Sequence, residues 1–266
     1  MVLSKPVPEQ QIEEPESETT QDNQPISPHI HHERFIGRIA VDNIIPKPDS
    51  VMAEQFRKLH GLVISHYITH SLRSILVTSC VPQEGKTNVA LNLAATIARG
   101  LDDSVILIDA DLRMKHLSSR LGLQNALGLS DVLEKRATIG GTIVGTEIEG
   151  LTVLPAGTLG PNPSELISST RMKRLIQHLE TSLKDTYIII DSTPIIATSE
   201  ANTLIQMTDG VIVVIMADKT RRDLVKRELK TIPSQKILGV VLNCAELETS
   251  DYHHRYYKGY YGKKKK

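Results

Sequence analysis

The tripeptide Gly85-Lys86-Thr87 is the centre of the chemistry this chain can do. It closes the loop Cys80-Val81-Pro82-Gln83-Glu84-Gly85-Lys86-Thr87, which follows a β-branched run ending at Ser79 and leads straight into a helical pattern. Strand, loop, Gly-Lys-Thr, helix is the P-loop arrangement, in which backbone amides and a helix N-terminus cradle phosphates. Lys86 would reach the β/γ-phosphates, and the Thr87 hydroxyl would ligate Mg²⁺. Cys80 occupies the place of the usual first glycine, so the loop alone departs from the general pattern. Two more strand ends supply its context. Val105–Ile108 runs into Asp109-Ala110-Asp111, and Tyr187–Ile190 runs into Asp191. Carboxylates just past the C-terminal ends of parallel strands face the ligand crevice. Three of them beside a P-loop offer hard oxygen ligands for Mg²⁺ and its waters. One such Asp would read as a turn or cap residue; three in this order read as an ATP·Mg²⁺ site.

These residues need a sheet to carry them. Nearly continuous Ile, Val and Leu runs occur at Ser74–Ser79, Val105–Asp109, Leu151–Leu154, Tyr187–Asp191, Gly210–Met216 and Ile237–Leu242. Strands buried on both faces have this composition. Helical patterns separate them at Thr87–Arg99, Ser164–Leu183, Ser199–Gln206 and Arg221–Thr231. Such alternation predicts an α/β fold: an open, mostly parallel sheet with helices on both faces, of the P-loop NTPase type. An amphipathic helix is predicted from Val51 to about His70.

The ends are different. Residues 1–45 read as a disordered acidic, Pro-rich tail and linker, 46–247 as the nucleotide-binding domain, and 248–266 as a flexible Tyr/Lys-rich tail. His29, His31 and His32 suit either a weak metal site or a solvated tail. Lys+Arg and Asp+Glu are both 31, so no global charge drives the chain toward nucleic acid. Two cysteines, Cys80 and Cys244, make neither a disulfide framework nor a metal cluster, which fits a reducing interior. No apolar run approaches the ~18 residues that span a bilayer, and the N-terminus lacks a signal-peptide pattern.

On these motifs the chain resembles the cytoplasmic domain of bacterial tyrosine kinases (BY-kinases) of polysaccharide export systems, from about Ser50 onward. Pro82–Thr87 is similar to that family's Walker A loop, Ile106–Arg113 to its extra Walker A′ motif, and Ile188–Pro194 to its Walker B. Leu154–Met172 and the tyrosine-rich tail are the more specific likenesses; Gly239–Asn243 resembles the late strand whose Asn243 lies near the base. The resemblance implies nucleotide contacts from Pro82, Gln83, Glu84, Gly85, Lys86, Thr87, Asn88 and Asn243. It implies that Lys86 stabilises the transferring phosphate and that Thr87 and Asp111 hold Mg²⁺, with Asp191 helping through its water shell. Asp109 becomes the catalytic base for the incoming tyrosyl hydroxyl, and Arg113 lies near the site. The family's Glu-x-x-Arg-x-x-Arg interface motif corresponds to Glu54, Arg57 and His60, the last a departure. Gln83, Lys115, His116 and Met216 are others.

Tyr252, Tyr256, Tyr257, Tyr260 and Tyr261 are the expected phosphoacceptors of an autokinase that regulates exopolysaccharide or capsule export. Taken alone, the same tail would equally suit disorder, single-stranded nucleic acid or an anionic membrane surface. The implied setting is cytoplasmic, at the inner face of the plasma membrane, with a separate membrane-embedded activator, a possible homo-oligomeric ring and no nucleic acid. The alternative is a nucleotide-switched positioning ATPase of the septum-site or partition type. Those proteins carry a second lysine where this chain has Val81.

Overall fold

The computed structural model describes residues 38–245, apart from 101, 102, 159, 161 and 184. The expectations for residues 1–37 and for the tyrosine tail therefore lie outside the described residues. In chain order the elements are β1 Arg38–Ile39, α1 Val51–His70, β2 Ser74–Ser79, α2 Lys86–Ala98, β3 Ser104–Asp109, α3 His116–Arg120, α4 Leu129–Leu133, β4 Val144–Thr146 and β5 Leu151–Leu154. There follow α5 Pro163–Ser168, α6 Thr170–Ser182, β6 Thr186–Asp191, α7 Ser199–Met207, β7 Gly210–Met216, α8 Arg222–Leu229 and β8 Ile237–Asn243.

The strands form one sheet in the order β1-β4-β5-β3-β6-β2-β7-β8. Every neighbouring pair is parallel except β4 with β5. Period-two alternation divides the apolar runs between the two faces. Leu76, Ile106, Ile108, Ile188 and Ile190 pack on one side with Met172, Ile176, Leu204 and Ile205 of α6 and α7. Ile75, Val77, Val105, Leu107 and Ile189 pack on the other with Val89, Leu93 and Ile97 of α2 and Val63 of α1. Both faces are covered, which is why the central strands carry no polar alternation.

Two expectations are corrected. Residues 38–45, assigned to tail and linker, belong to the folded domain: Arg38 and Ile39 pair with Gly145 and Thr146, and Val41 and Ile45 are buried. A two-residue strand has no periodicity to read. The helix expected at Ser164–Leu183 is two helices. Ser169 breaks it in an extended conformation (φ −70°, ψ 153°), and its side chain accepts from Met172 N to cap α6.

Position follows from order. β2 lies between β6 and β7, yet the chain leaves β2 through α2 and enters β3 on the far side of β6. Strand ends β2, β6 and β3 thus lie side by side, with Asp109 in register with Asp191 and Asp191 in register with Val77. Open α/β sheets bind ligands at such carboxyl edges.

Candidate active site

The loop after β2 is held by its own glutamate. Glu84 is buried; its Oε2 accepts from Val81 N at 2.8 Å, and its Oε1 accepts from Met216 N at 3.1 Å and from the Thr220 hydroxyl. Its carbonyl accepts from Asn243 Nδ2 at 2.9 Å. Glu84 therefore joins the P-loop to the β7–α8 connection and to the end of β8. Its side chain, expected among the nucleotide contacts, is spent on the loop's frame. The left-handed positions are Gln83 (φ 67°) and Gly85 (φ 91°). This explains why glycine suits position 83 and why Cys80, which has no positive φ, is tolerated at the first position. Burial, then Glu84 and Glu228, push the Cys80 thiol up to about 12, so it stays protonated and unreactive. Gly85 is further constrained: a Cβ there would lie 2.1 Å from Asn243 Nδ2.

Lys86 opens α2 and points into the carboxylates. Its Nζ lies 3.3 Å from Asp111 Oδ2, 3.4 Å from Thr87 Oγ1 and 4.0 Å from Asp191 Oδ1. The lysine is 6 % exposed, Asp111 2 % and Asp191 0 %. Asp111 is oriented by Met114 N, which donates to its Oδ1 at 3.1 Å. Asp191 has only weak polar support, from Lys86 at 4.0 Å and the nearby Thr87 hydroxyl, with no close donor on either oxygen. Burial pushes Asp191 up to about 7, against the pull of Lys86 and with a further push from Asp109.

Asp109 is also fully buried but well supplied with donors. Its Oδ2 accepts from Ser118 N at 2.8 Å and Ser118 Oγ at 2.6 Å, and its Oδ1 accepts from Asp111 N at 3.2 Å. Burial raises it above the ordinary carboxylate range, and the Ser118 donors offset part of that rise. Its side chain is closed to solvent.

The Leu154–Met172 segment braces this corner. Ala156 N donates to Ser118 Oγ at 2.9 Å, Pro155 O accepts from Leu129 N at 2.7 Å, and Gly157 O accepts from Lys115 Nζ at 2.5 Å. Thr158 donates to Asp131 through its N (2.9 Å) and Oγ1 (2.6 Å). Burial alone would raise Asp131; donors from Thr158 and Gly128, with Arg136, outweigh it and hold the carboxyl below its usual value. Lys115, at the N-cap of α3, sits in the left-handed region (φ 49°).

The structure brings Lys86, Thr87, Asp109, Asp111 and Asp191 together and sets Asn243 against Gly85. Arg113 is directed elsewhere: its Nε donates to buried Glu200 at 3.1 Å and its Nη2 to Ser164 Oγ at 2.7 Å. On α1, Glu54 and Arg57 pair with each other at 2.6 Å, and Arg57 also donates to Pro48 O. His60 turns inward instead, with Nε2 3.8 Å from Asp103 and 13 % of its side chain exposed. Burial lowers its pKa against the pull of Asp103. Sequence reasoning missed Ser118 altogether and the framing role of Glu84; a serine in a short polar segment and a glutamate beside Gly-Lys-Thr carry no periodic signal.

Among the described residues no three His, Cys, Asp or Glu form a ready-made metal cage. Mg²⁺ is commonly held by one or two carboxylates together with substrate phosphates and waters. The weakly supported oxygens of buried Asp191 and the surplus of carboxylates over Lys86 are what a hard dication would satisfy. This fold and this constellation define a P-loop nucleotide-binding protein.

Comparison with known proteins makes that class narrower. A family profile described as an AAA domain matches residues 82–236. Tyrosine-protein kinase YwqD of Bacillus subtilis (strain 168) is 34 % identical over 221 residues, covering 82 % of this chain and 90 % of the relative. Succinoglycan biosynthesis transport protein ExoP of Rhizobium meliloti (strain 1021) is 28 % identical over 240 residues, covering 85 % of this chain but 30 % of the relative. Among solved structures, the chimerical protein CapA2B2 superposes with a TM-score of 0.67 at 33 % identity, covering 74 % of this chain and 86 % of that one. The chain belongs to the bacterial tyrosine-protein kinases.

Proposed function

We propose that this chain is a Mg²⁺-dependent autokinase that transfers the γ-phosphoryl group of ATP to its own tyrosines Tyr252, Tyr256, Tyr257, Tyr260 and Tyr261, and thereby regulates exopolysaccharide or capsule export. The observation that carries the reading is Lys86, buried between Asp111 and Asp191 at the mouth of the P-loop. A buried ammonium there meets the phosphoryl oxygens and neutralises charge that grows as the group transfers. The backbone amides after Gln83 and the N-terminus of α2 receive the phosphates. Thr87, Asp111 and Asp191 are the residues that would hold Mg²⁺, which supplies charge neutralisation when bound. Asp109 takes the tyrosyl proton. Asn243, beside Gly85, would contact the base of the nucleotide.

No helix among the described residues is long and apolar enough to cross a membrane. The family resemblance supplies a membrane-embedded activator as partner and the inner face of the membrane as the site of action; ExoP, named for transport in succinoglycan biosynthesis, supports the link to polysaccharide. Ring assembly would rest on Glu54 and Arg57, which already lie paired on the outer side of α1. His60 is turned away from that surface.

The test is incubation of the wild type, Lys86→Met and a five-fold Tyr→Phe tail variant with labelled Mg·ATP, with and without the candidate membrane partner. Label on tail tyrosines that requires Lys86 is expected. ATP hydrolysis with no phosphotyrosine under either condition would refute the reading in favour of a positioning ATPase.

A further inference from the structure

We infer that Ser118 is the positioning residue that orients Asp109 for proton transfer and selects which of its oxygens takes the proton. The inference rests on the assignment of Asp109 as the base. Ser118 is 1 % exposed and stands in α3, nine residues past Asp109. Its hydroxyl has one hydrogen to give, and Ala156 N–H already occupies an acceptor site on its oxygen. The hydroxyl proton is therefore directed at Asp109 Oδ2, which lies 2.6 Å away, while the backbone N–H of the same serine donates to the same oxygen at 2.8 Å. Two donors from one residue fix the carboxylate's rotation and saturate Oδ2. Oδ1 holds a single, longer bond from Asp111 N at 3.2 Å.

The roles then separate. The tyrosyl O–H bond breaks and its proton passes to Asp109 Oδ1. The tyrosyl oxygen forms the new bond to the γ-phosphorus. The bond from that phosphorus to the β–γ bridging oxygen breaks, and ADP leaves with the electron pair. Ser118 touches none of the reacting atoms; it acts through Asp109. The chain Asp109–Ser118–Ala156 also attaches the Leu154–Met172 segment to the base, giving that segment a catalytic reason to follow β5 closely.

The experiment is a double-mutant cycle on the full-length chain with Mg·ATP and a peptide copying residues 251–262, comparing wild type, Ser118→Ala, Asp109→Asn and the double variant. Ser118→Ala is expected to lower kcat by about 10- to 100-fold, part of what a positioned base contributes. KM for ATP and the Kd for ADP should stay within about twofold, because the loss is confined to the transition state. In the Asp109→Asn background, Ser118→Ala should cost less than about twofold more, the mark of two residues acting as one unit. Ser130→Ala loosens the same segment by removing the bond from Ser130 Oγ to Thr158 O without touching Asp109, and should leave kcat near wild type. Should Ser118→Ala not fold, Ser118→Cys keeps the side-chain shape, slightly enlarged, with a much weaker donor. An unimpaired Ser118→Ala beside a slow Asp109→Asn would overturn the inference alone, as would losses that multiply or a Ser130→Ala enzyme equally slow. An Asp109→Asn enzyme with wild-type kcat would remove the base assignment, and this inference with it.

Discussion

Replacing Asp191 with asparagine should make the chain more stable while making it a worse nucleotide binder. Asp191 is buried with no close donor on either oxygen, and burial raises its pKa from 3.8 to about 7 against the pull of Lys86 and the Thr87 hydroxyl. In the unfolded chain the carboxyl ionises near 3.8; in the folded chain it resists ionisation up to about 7. Between those values the folded state binds more protons than the unfolded one, so stability falls as pH rises. The penalty is absent below the unfolded value, grows through the interval and is complete above pH 7. At about 1.4 kcal/mol per tenfold change it reaches about 4 kcal/mol at pH 8. The asparagine side chain would carry no charge but would leave a buried amide short of partners, which costs ~1–3 kcal/mol. The net gain at pH 8 is about 2 kcal/mol, or a Tm rise of roughly 4–8 °C for a domain of this size. The assay is thermal unfolding of wild type and Asp191→Asn in chelator, from pH 5 to pH 8. The advantage of the variant should shrink by ~2–3 kcal/mol toward pH 5. Saturating Mg·ADP should reverse the order, since only the wild type gains fully from the ligand. A variant less stable than wild type at pH 8, or an advantage that does not change with pH, would refute the reasoning.

Lys86→Met should abolish phosphotyrosine formation and also lower Tm without nucleotide, because the buried carboxylates lose their cation; a loss of ~3 kcal/mol is expected by thermal or urea unfolding at pH 8. Glu84→Ala removes the acceptor of Val81 N, Met216 N and the Thr220 hydroxyl. It should cost about 3–5 kcal/mol in urea unfolding and weaken ADP binding measured by calorimetry, although Glu84 need never touch the ligand. Gly85→Ala places a Cβ 2.1 Å from Asn243 Nδ2 in a left-handed position. ADP affinity should fall at least about tenfold, and Asn243→Ala, which clears the space, should recover part of it.

What could be read from the sequence was what repeats or what accumulates. β2, β3, β6 and β7 announced themselves because a strand covered on both faces must be apolar throughout. Asp109, Asp111 and Asp191 were legible because strand ends in a parallel sheet come together whatever the loops do. β1 was not legible: its two residues gain meaning only from Gly145 and Thr146, more than a hundred positions away. The interruption at Ser169 was hidden because a serine between two amphipathic stretches changes neither period. Ser118 and the framing role of Glu84 were invisible for a third reason. Their roles lie in which atoms they hold, and a hydrogen bond across a fold leaves no pattern in the residues on either side.

The site's charge balance links its strain to its selectivity. Two buried carboxylates, Asp111 and Asp191, share one lysine, and Asp109 lies in the strand row beside them. ATP brings more negative charge to the same crevice, so nucleotide alone would meet repulsion from Asp109, Asp111 and Asp191 that Lys86 only partly offsets. A dication relieves both deficits at once: it compensates the carboxylates that folding has buried and the phosphates that binding delivers. Metal and nucleotide should therefore favour each other's binding, and by linkage each must raise the affinity of the other by the same factor. Ser118 removes Asp109 from that competition by saturating one of its oxygens with donors. On the proposed reading, the two carboxylates near Lys86 remain for the metal, and the third is kept for the proton.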